Sequence, residues 1–237
     1  MSEKQQKHSD GVEVIYNKER WDLLKTYRQK AQTLLEALHK RSIEAVVHGS
    51  VARGDVDRNS DVDAFIPIPP SSFQIETALE QAKIPIAIRT VIQATPAYAM
   101  KAYIEIGSET TVSFPLMRLR RVEREFYRFS GEVDLSQINN GARAAGVDKR
   151  LMLIEPTSKG HTENRIIGKE EPTAKMLGIA VQTVQDRVHA LMKRDAVGRT
   201  GVFVKQQLGP DETFELVLKR LAMENPAVRR RLGVSFF

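Results

Sequence analysis

Two aspartates two residues apart, Asp61 and Asp63, open an apolar run in the stretch HGSVARGDVDRNSDVDAFI, residues 48–66. On a strand, residues i and i+2 point to the same face, so both carboxylates converge on one spot. Adjacent carboxylates repel unless a cation lies between them. Oxygen ligands with phosphate nearby point to Mg²⁺, which binds through one or two carboxylates plus substrate oxygens. Two such ions clamp the attacking and leaving oxygens of an in-line displacement. Upstream, Gly49 has no Cβ to hold a phosphate away from the backbone. Ser50 offers a hydroxyl and an amide at the start of the following turn, where amides and the helix dipole favour anions. The same residue types also make an ordinary polar turn with an Asx cap. What favours chemistry is a Gly-Ser step one loop ahead of the aspartates, with apolar runs on both sides.

The elements that must position these groups follow from hydrophobic periodicity. Apolar residues from Trp21 to Leu38 recur at steps of three and four and predict a helix over 16–39, with Asn17 as its N-cap. Residues 43–47 and 62–68 read as strands on either side of the motif. A short helix follows at 73–82 and a strand at 84–92. Residues 99–106 and 110–114 flank Gly107-Ser108-Glu109 as a hairpin. An Arg-rich helix is expected over 117–130, and the polar, small-residue stretch 130–146 marks a boundary. Beyond it come a strand at 151–154, the turn-rich PTSKGH, helices at 173–177 and 183–193 around Gly178, a short strand at 202–205, and helices at 211–223 and 227–232. Residues 1–11 are polar and expected to fray.

On these residues the sequence resembles a known family. Gly49-Ser50, Ala52-Arg53-Gly54 and Ser60-Asp61-Val62-Asp63 are similar to the signature of the polymerase-beta-type nucleotidyltransferase superfamily, over roughly residues 30–115. The resemblance implies a small mixed β-sheet backed by helices, ATP or another nucleoside triphosphate as donor, and transfer of a nucleotidyl group to a hydroxyl with two Mg²⁺ ions. It assigns Gly49 and Ser50 to the triphosphate, Asp61 and Asp63 to the metals, and Arg53 to the neighbourhood of the phosphates. By residue type alone, Arg53 reads equally as a surface charge.

The family usually carries a third carboxylate on a neighbouring strand. In archaeal CCA-adding-like members it lies on the second strand of a hairpin, shortly before a proline. The matching segment here, Thr111-Val112-Ser113-Phe114-Pro115, has no acid. Glu105, on the first strand of the hairpin, is the substitute, sharing a face with Tyr103 and Gly107. Two readings stand for it: a catalytic acid, since burying it between Ile104 and Ile106 without a partner is costly, or an edge-strand residue facing water. His48 reads as a phosphate neighbour or a structural strand-end residue. His161 sits in a turn with no evident partner. Arg118, Arg120, Arg121, Arg124 and Arg128 either line a cleft entrance or form a solvated helix face.

The chain has 36 Lys+Arg against 30 Asp+Glu, and the whole excess of six falls in residues 149–237. This asymmetry suggests a second unit that meets a polyanion. Residues 173–194 have a helix-turn-helix layout. Ala174, Leu177, Ile179, Val184, Val188 and Leu191 turn inward, while Gln182, Gln185, Arg187, Lys193 and Arg194 are left outside, as on a helix entering a groove. Residues 197–205, with Arg199, read like the wing of a winged helix. The fold expected is therefore α+β: a nucleotidyltransferase domain over 1–145 and a mainly helical winged helix-turn-helix domain over 146–237 that contacts DNA or RNA.

The absence of cysteine excludes a disulfide framework, thiolate zinc sites and a cysteine nucleophile. No signal sequence or apolar run of membrane-spanning length is present, so a cytoplasmic protein with no membrane partner is expected. Three functions are compatible with these features. The first is a Mg²⁺-dependent nucleotidyltransferase that releases pyrophosphate and binds nucleic acid. The second is a nucleotide-sensing DNA-binding transcriptional regulator whose transferase-like domain is catalytically weak. The third is a small transferase of the antitoxin kind that modifies a protein acceptor.

Overall fold

The computed structural model describes residues 11–198 and 201–233. In chain order the elements are β1 (Val12–Ile15), α1 (Lys18–His39), β2 (Val46–His48), α2 (Ser50–Arg53), β3 (Val62–Phe65), α3 (Ser72–Gln81), β4 (Ile88–Gln93), β5 (Lys101–Ile106), β6 (Thr110–Pro115), α4 (Arg121–Phe129), β7 (Glu132–Asp134), α5 (Leu135–Asn139), β8 (Gly146–Val147), β9 (Met152–Thr157), β10 (Gly160–Arg165), α6 (Glu170–Leu177), α7 (Val181–Val197), β11 (Val204–Gln207), α8 (Phe214–Glu224) and α9 (Pro226–Leu232). The strands make two sheets, ordered β11-β4-β5-β6-β3-β2-β7 and β1-β10-β9-β8. The larger sheet is mixed: β3 and β6 run parallel, and its other pairs are antiparallel.

Strand alternation divides the labour of β3. Val62 and Ala64 enter the main core with Leu24, Ala31, Leu35 and Leu38 of α1. Asp61, Asp63 and Phe65 therefore take the other face. There α4 lies across the sheet, and Tyr127 stacks on Phe65 with ring centroids 3.5 Å apart and planes at 8°. Helix α1 starts where the sequence places it: the Asn17 side chain accepts from the Arg20 N–H at 2.9 Å, satisfying a donor that the first turn leaves free.

Two strand pairings cross the boundary expected between residues 145 and 146. β1 pairs with β10, Val12 opposite Glu163 and Ile15 opposite Gly160. β11 pairs with β4, Val204 opposite Gln93. The expected wing is corrected here: Val204–Gln207 extends the edge of the large sheet, whose open backbone groups it satisfies. Arg199 lies outside the described residues. Helices α8 and α9 bury Phe214, Val217, Leu218 and Val228 in the same core as α1.

Helices α6 and α7 keep the helix-turn-helix layout, with Gly178 in the left-handed region at φ 62°. They pack on α4 and on the small sheet through a second apolar cluster, which includes Phe129, Val147, Leu153, Ala174, Val184, Val188 and Leu191. One buried acid anchors the contact. Glu125 of α4 accepts from the Ala180 N–H at 3.0 Å and from Thr183 Oγ1 at 2.5 Å. These bonds, together with that from Arg121 at 2.5 Å, hold its carboxyl below the usual range despite the opposing effect of burial.

His161 also differs from expectation. It lies on β10, buried, with Nδ1 2.5 Å from the Tyr16 hydroxyl and Nε2 3.1 Å from Glu163. Tyr16 directly follows β1, a pairing partner that the sequence pattern did not reveal.

Candidate active site

The two strands of the Gly-Ser and Asp-x-Asp motif are neighbours in the sheet, with His48 opposite Asp63. Gly49 ends β2 at φ 79°, ψ −146°, a conformation that favours glycine. Its N–H donates to the Gly131 carbonyl at 2.9 Å. A side chain built there would meet nothing within 4 Å, so the space beside the corner is open. Ser50 begins α2 and donates through Oγ to Ser60 Oγ at 3.2 Å. Ser60 Oγ also accepts from the Asp57 N–H at 2.9 Å, tying the intervening loop to the corner.

Gly49, Ser50, Asp61 and Asp63 line one cleft of about 870 Å³. That volume suits a ligand the size of a nucleotide. Neither aspartate has a hydrogen-bond or ion-pair partner among the described residues. Burial, and then the neighbouring Asp61, push the Asp63 carboxyl up, while Lys149 and Lys101 pull against this. Two converging carboxylates without a partner, one of them half-buried, suit a divalent cation whose remaining ligands come from a phosphate. Among the described residues no group of three or more acidic or histidine side chains is assembled for a metal.

Glu105 is on the same face, but its place is set by register. Asp63 lies opposite Thr111, and Thr111 opposite Glu105. A whole strand separates the two acids, about 10 Å between their backbones at ordinary strand spacing. The position beside Asp63 is held by Thr111.

Arg53 lines the cleft but is buried and engaged: Nη1 donates to the Ser130 carbonyl at 2.6 Å and Nη2 to Asp55 at 2.9 Å. Its guanidinium clamps the α2 corner to the end of α4. The arginines of α4 are ion-paired along the helix. Arg124 grips Glu132 with two bonds of 2.7 and 2.8 Å, and Arg121 meets Glu125.

His48 packs edge-on against Tyr127, ring centroids 4.9 Å apart, and Nδ1 lies 3.3 Å from Ser130 Oγ. Burial first, then Lys101 and Arg53, hold its pKa down to about 3. The ring is therefore neutral at neutral pH. Because the folded value is depressed, its stabilising contribution is present above about pH 6.5 and is lost as pH falls toward the folded value, at about 1.4 kcal/mol per pH unit. Urea titrations at pH 7, 6 and 5 are expected to show a falling midpoint in the parent protein and a shallower fall in His48→Asn. Equal slopes would remove His48 from the account.

Of the groove-facing set on α7, Gln182, Gln185 and Lys193 are exposed. Arg187 and Arg194 instead turn into the cleft beside the aspartates. So do Arg20, Lys149 and Arg150, which the sequence pattern did not single out. Lys149 and Arg150 stand in a charged loop with no periodicity to mark it, and Arg20 is one polar residue of a helix's first turn.

A mixed sheet thus places a glycine-serine corner beside paired aspartates. Residues 28–123 match the family model described as a nucleotidyltransferase domain. A search of curated proteins returned no match. Among the described residues no helix is long and apolar enough to cross a membrane.

Proposed function

We propose that the cleft transfers a nucleotidyl group from a nucleoside triphosphate to a hydroxyl acceptor. The observation that carries this reading is the pair of unpartnered carboxylates, Asp61 and Asp63, facing an open glycine-serine corner. Gly49 and Ser50 receive the triphosphate; Arg53 holds the corner rigid through Ser130 and Asp55. Asp61 and Asp63 would hold Mg²⁺, one or two ions, which when bound would neutralise charge on the phosphates. The acceptor oxygen forms a bond to the α-phosphorus, the bond to the bridging oxygen breaks, and pyrophosphate leaves with that electron pair. The hydroxyl proton passes to solvent water, since Glu105, a strand away, is not in direct reach to take it. Catalysis then rests on positioning and charge neutralisation.

The test is incubation with α-labelled triphosphates, Mg²⁺ and separate acceptors: single-stranded RNA, duplex DNA and protein fractions. Label is expected on one acceptor class, with stoichiometric pyrophosphate. Tyrosine-linked nucleotide on a protein would identify that acceptor.

A second reading is favoured by one feature: Thr111 and Ser113 stand where a third acid is expected. On it the domain binds nucleotide with little turnover and regulates nucleic-acid binding through the exposed face of α7, with Gln182, Gln185 and Lys193. Nucleotide-dependent duplex binding without label transfer would favour it.

A further inference from the structure

The cleft is lined by six basic and six acidic side chains, but they are not all paired with one another. Arg53 and Arg150 are ion-paired, the former with Asp55 at 2.9 Å and the latter with Asp148 and Glu163 at 2.6 Å each, although Arg53 Nε is itself buried without a hydrogen-bond partner. Arg187 and Arg194 have no acidic partner among the described residues. They lie seven residues apart, two turns along one face of α7, with Leu191 between them on the cleft wall. The Arg187 guanidinium lies over the Phe126 ring, 4.8 Å from its centroid, and its Nε is buried without a hydrogen-bond partner. Burial lowers its pKa, and the repulsion of Arg194 adds to this. A largely buried cation and a like-charged neighbour, with no anion between them, form an unfavourable arrangement in the protein alone. A guanidinium with free donors presents a fork matched to phosphate oxygens.

We propose that Arg187 and Arg194 bind phosphate oxygens of the ligand in the nucleotidyltransferase cleft, so that the second helix of the helix-turn-helix unit closes the active site and does not present these arginines to a nucleic-acid groove. The proposal rests on the nucleotide-binding reading of the cleft. Phe126 fixes the plane of Arg187, and Glu125, on the same helix, pins the start of α7 through Ala180 and Thr183. The side chain is thus held in position before any ligand arrives. The phosphates belong either to the donor triphosphate or to the backbone of an acceptor strand, and the chemistry is the same.

The experiment uses the full chain and two probes: inorganic tripolyphosphate with Mg²⁺ by calorimetry, and a fluorescent single-stranded RNA by anisotropy. Arg187→Ala and Arg194→Ala are each expected to weaken one probe by about 10- to 100-fold, the loss of charge-assisted hydrogen bonds. Arg187→Lys, which keeps the charge but not the fork, is expected to recover only part of this. Gln182→Ala and Gln185→Ala, on the exposed face, are expected to leave tripolyphosphate binding unchanged. Loss on tripolyphosphate assigns the donor's phosphates; loss on RNA alone assigns the acceptor's. Unchanged affinity for both probes, in variants whose thermal melting matches the parent, overturns the proposal while leaving the cleft's nucleotide reading intact. A parent protein that binds neither probe overturns both.

Discussion

Asp61→Asn combined with Asp63→Asn is expected to lower nucleotidyl transfer by about a thousandfold or more, since it removes the charge proposed to hold the metal for the displacement. The fold is expected to survive. Neither carboxylate makes a hydrogen bond or ion pair among the described residues, so no partner is stranded. Stability is in fact expected to rise in metal-free buffer. Burial and Asp61 raise the Asp63 carboxyl above its ordinary value. A carboxylate raised in the folded state favours folding while protonated, and this advantage is lost as pH rises through the folded value. Asparagine at 63 removes both causes of that shift, the burial of a charge and its repulsion by Asp61. Thermal melting of Asp63→Asn should therefore match or exceed the parent without metal, and Mg²⁺ should stabilise the parent alone. A double variant that releases pyrophosphate at the parent rate would place the chemistry elsewhere.

Gly146→Ala is the second large effect expected, and it acts from below the site. Strand β8 crosses the start of β7 so closely that a Cβ at 146 would stand 2.5 Å from the Ser130 carbonyl carbon and 2.6 Å from Gly131 Cα. These are backbone atoms and cannot rotate away. The cost expected is about 3 kcal/mol or more, in the range of severe overpacking. The damage is also directed. Gly131 accepts the hydrogen bond from the Gly49 N–H, and the Ser130 carbonyl accepts from Arg53. Displacing this pair moves the corner proposed to receive the triphosphate. Urea denaturation should show a lower midpoint, and transfer by the remaining folded fraction should fall as well. Gly201→Ala, where a Cβ meets nothing within 4 Å, is the matched control expected to leave both unchanged. If Gly146→Ala melts with the parent, the crossing is looser than described.

These expectations show which parts of the molecule a linear reading reaches. The glycine-serine corner, the aspartate strand and helix α1 with its Asn17 cap depend on neighbours along the chain, where periodicity and capping chemistry are legible. The hairpin of β5 and β6 is local for the same reason. The placement of Glu105 was not legible, because it depends on how β6 intervenes between β3 and β5. Nor was the partner of His161, Tyr16, which is brought in by the pairing of β1 with β10 from 145 residues away. The polar residues of α7 read as a single exposed set. Packing against α4 divides them, sending Arg187 and Arg194 inward and leaving Gln182, Gln185 and Lys193 outside. Charge and helical spacing are identical for both fates; only the neighbouring surface decides. The expected wing failed similarly, since nothing in residues 202–205 announces that a distant sheet edge is open to them.

The closure of the large sheet by β11 also has a temporal side. A ribosome delivers the motif-bearing strands early, but the edge beside β4 stays bare, and the core lacks Phe214 and Val217, until the last stretch has left the exit tunnel. The small sheet waits likewise, its first strand idle until β10 is translated. Vectorial synthesis thus yields a nascent intermediate with an exposed strand edge, the kind of species that chaperones shield. Cutting the gene at the midpoint to free a shorter transferase would make that transient condition permanent.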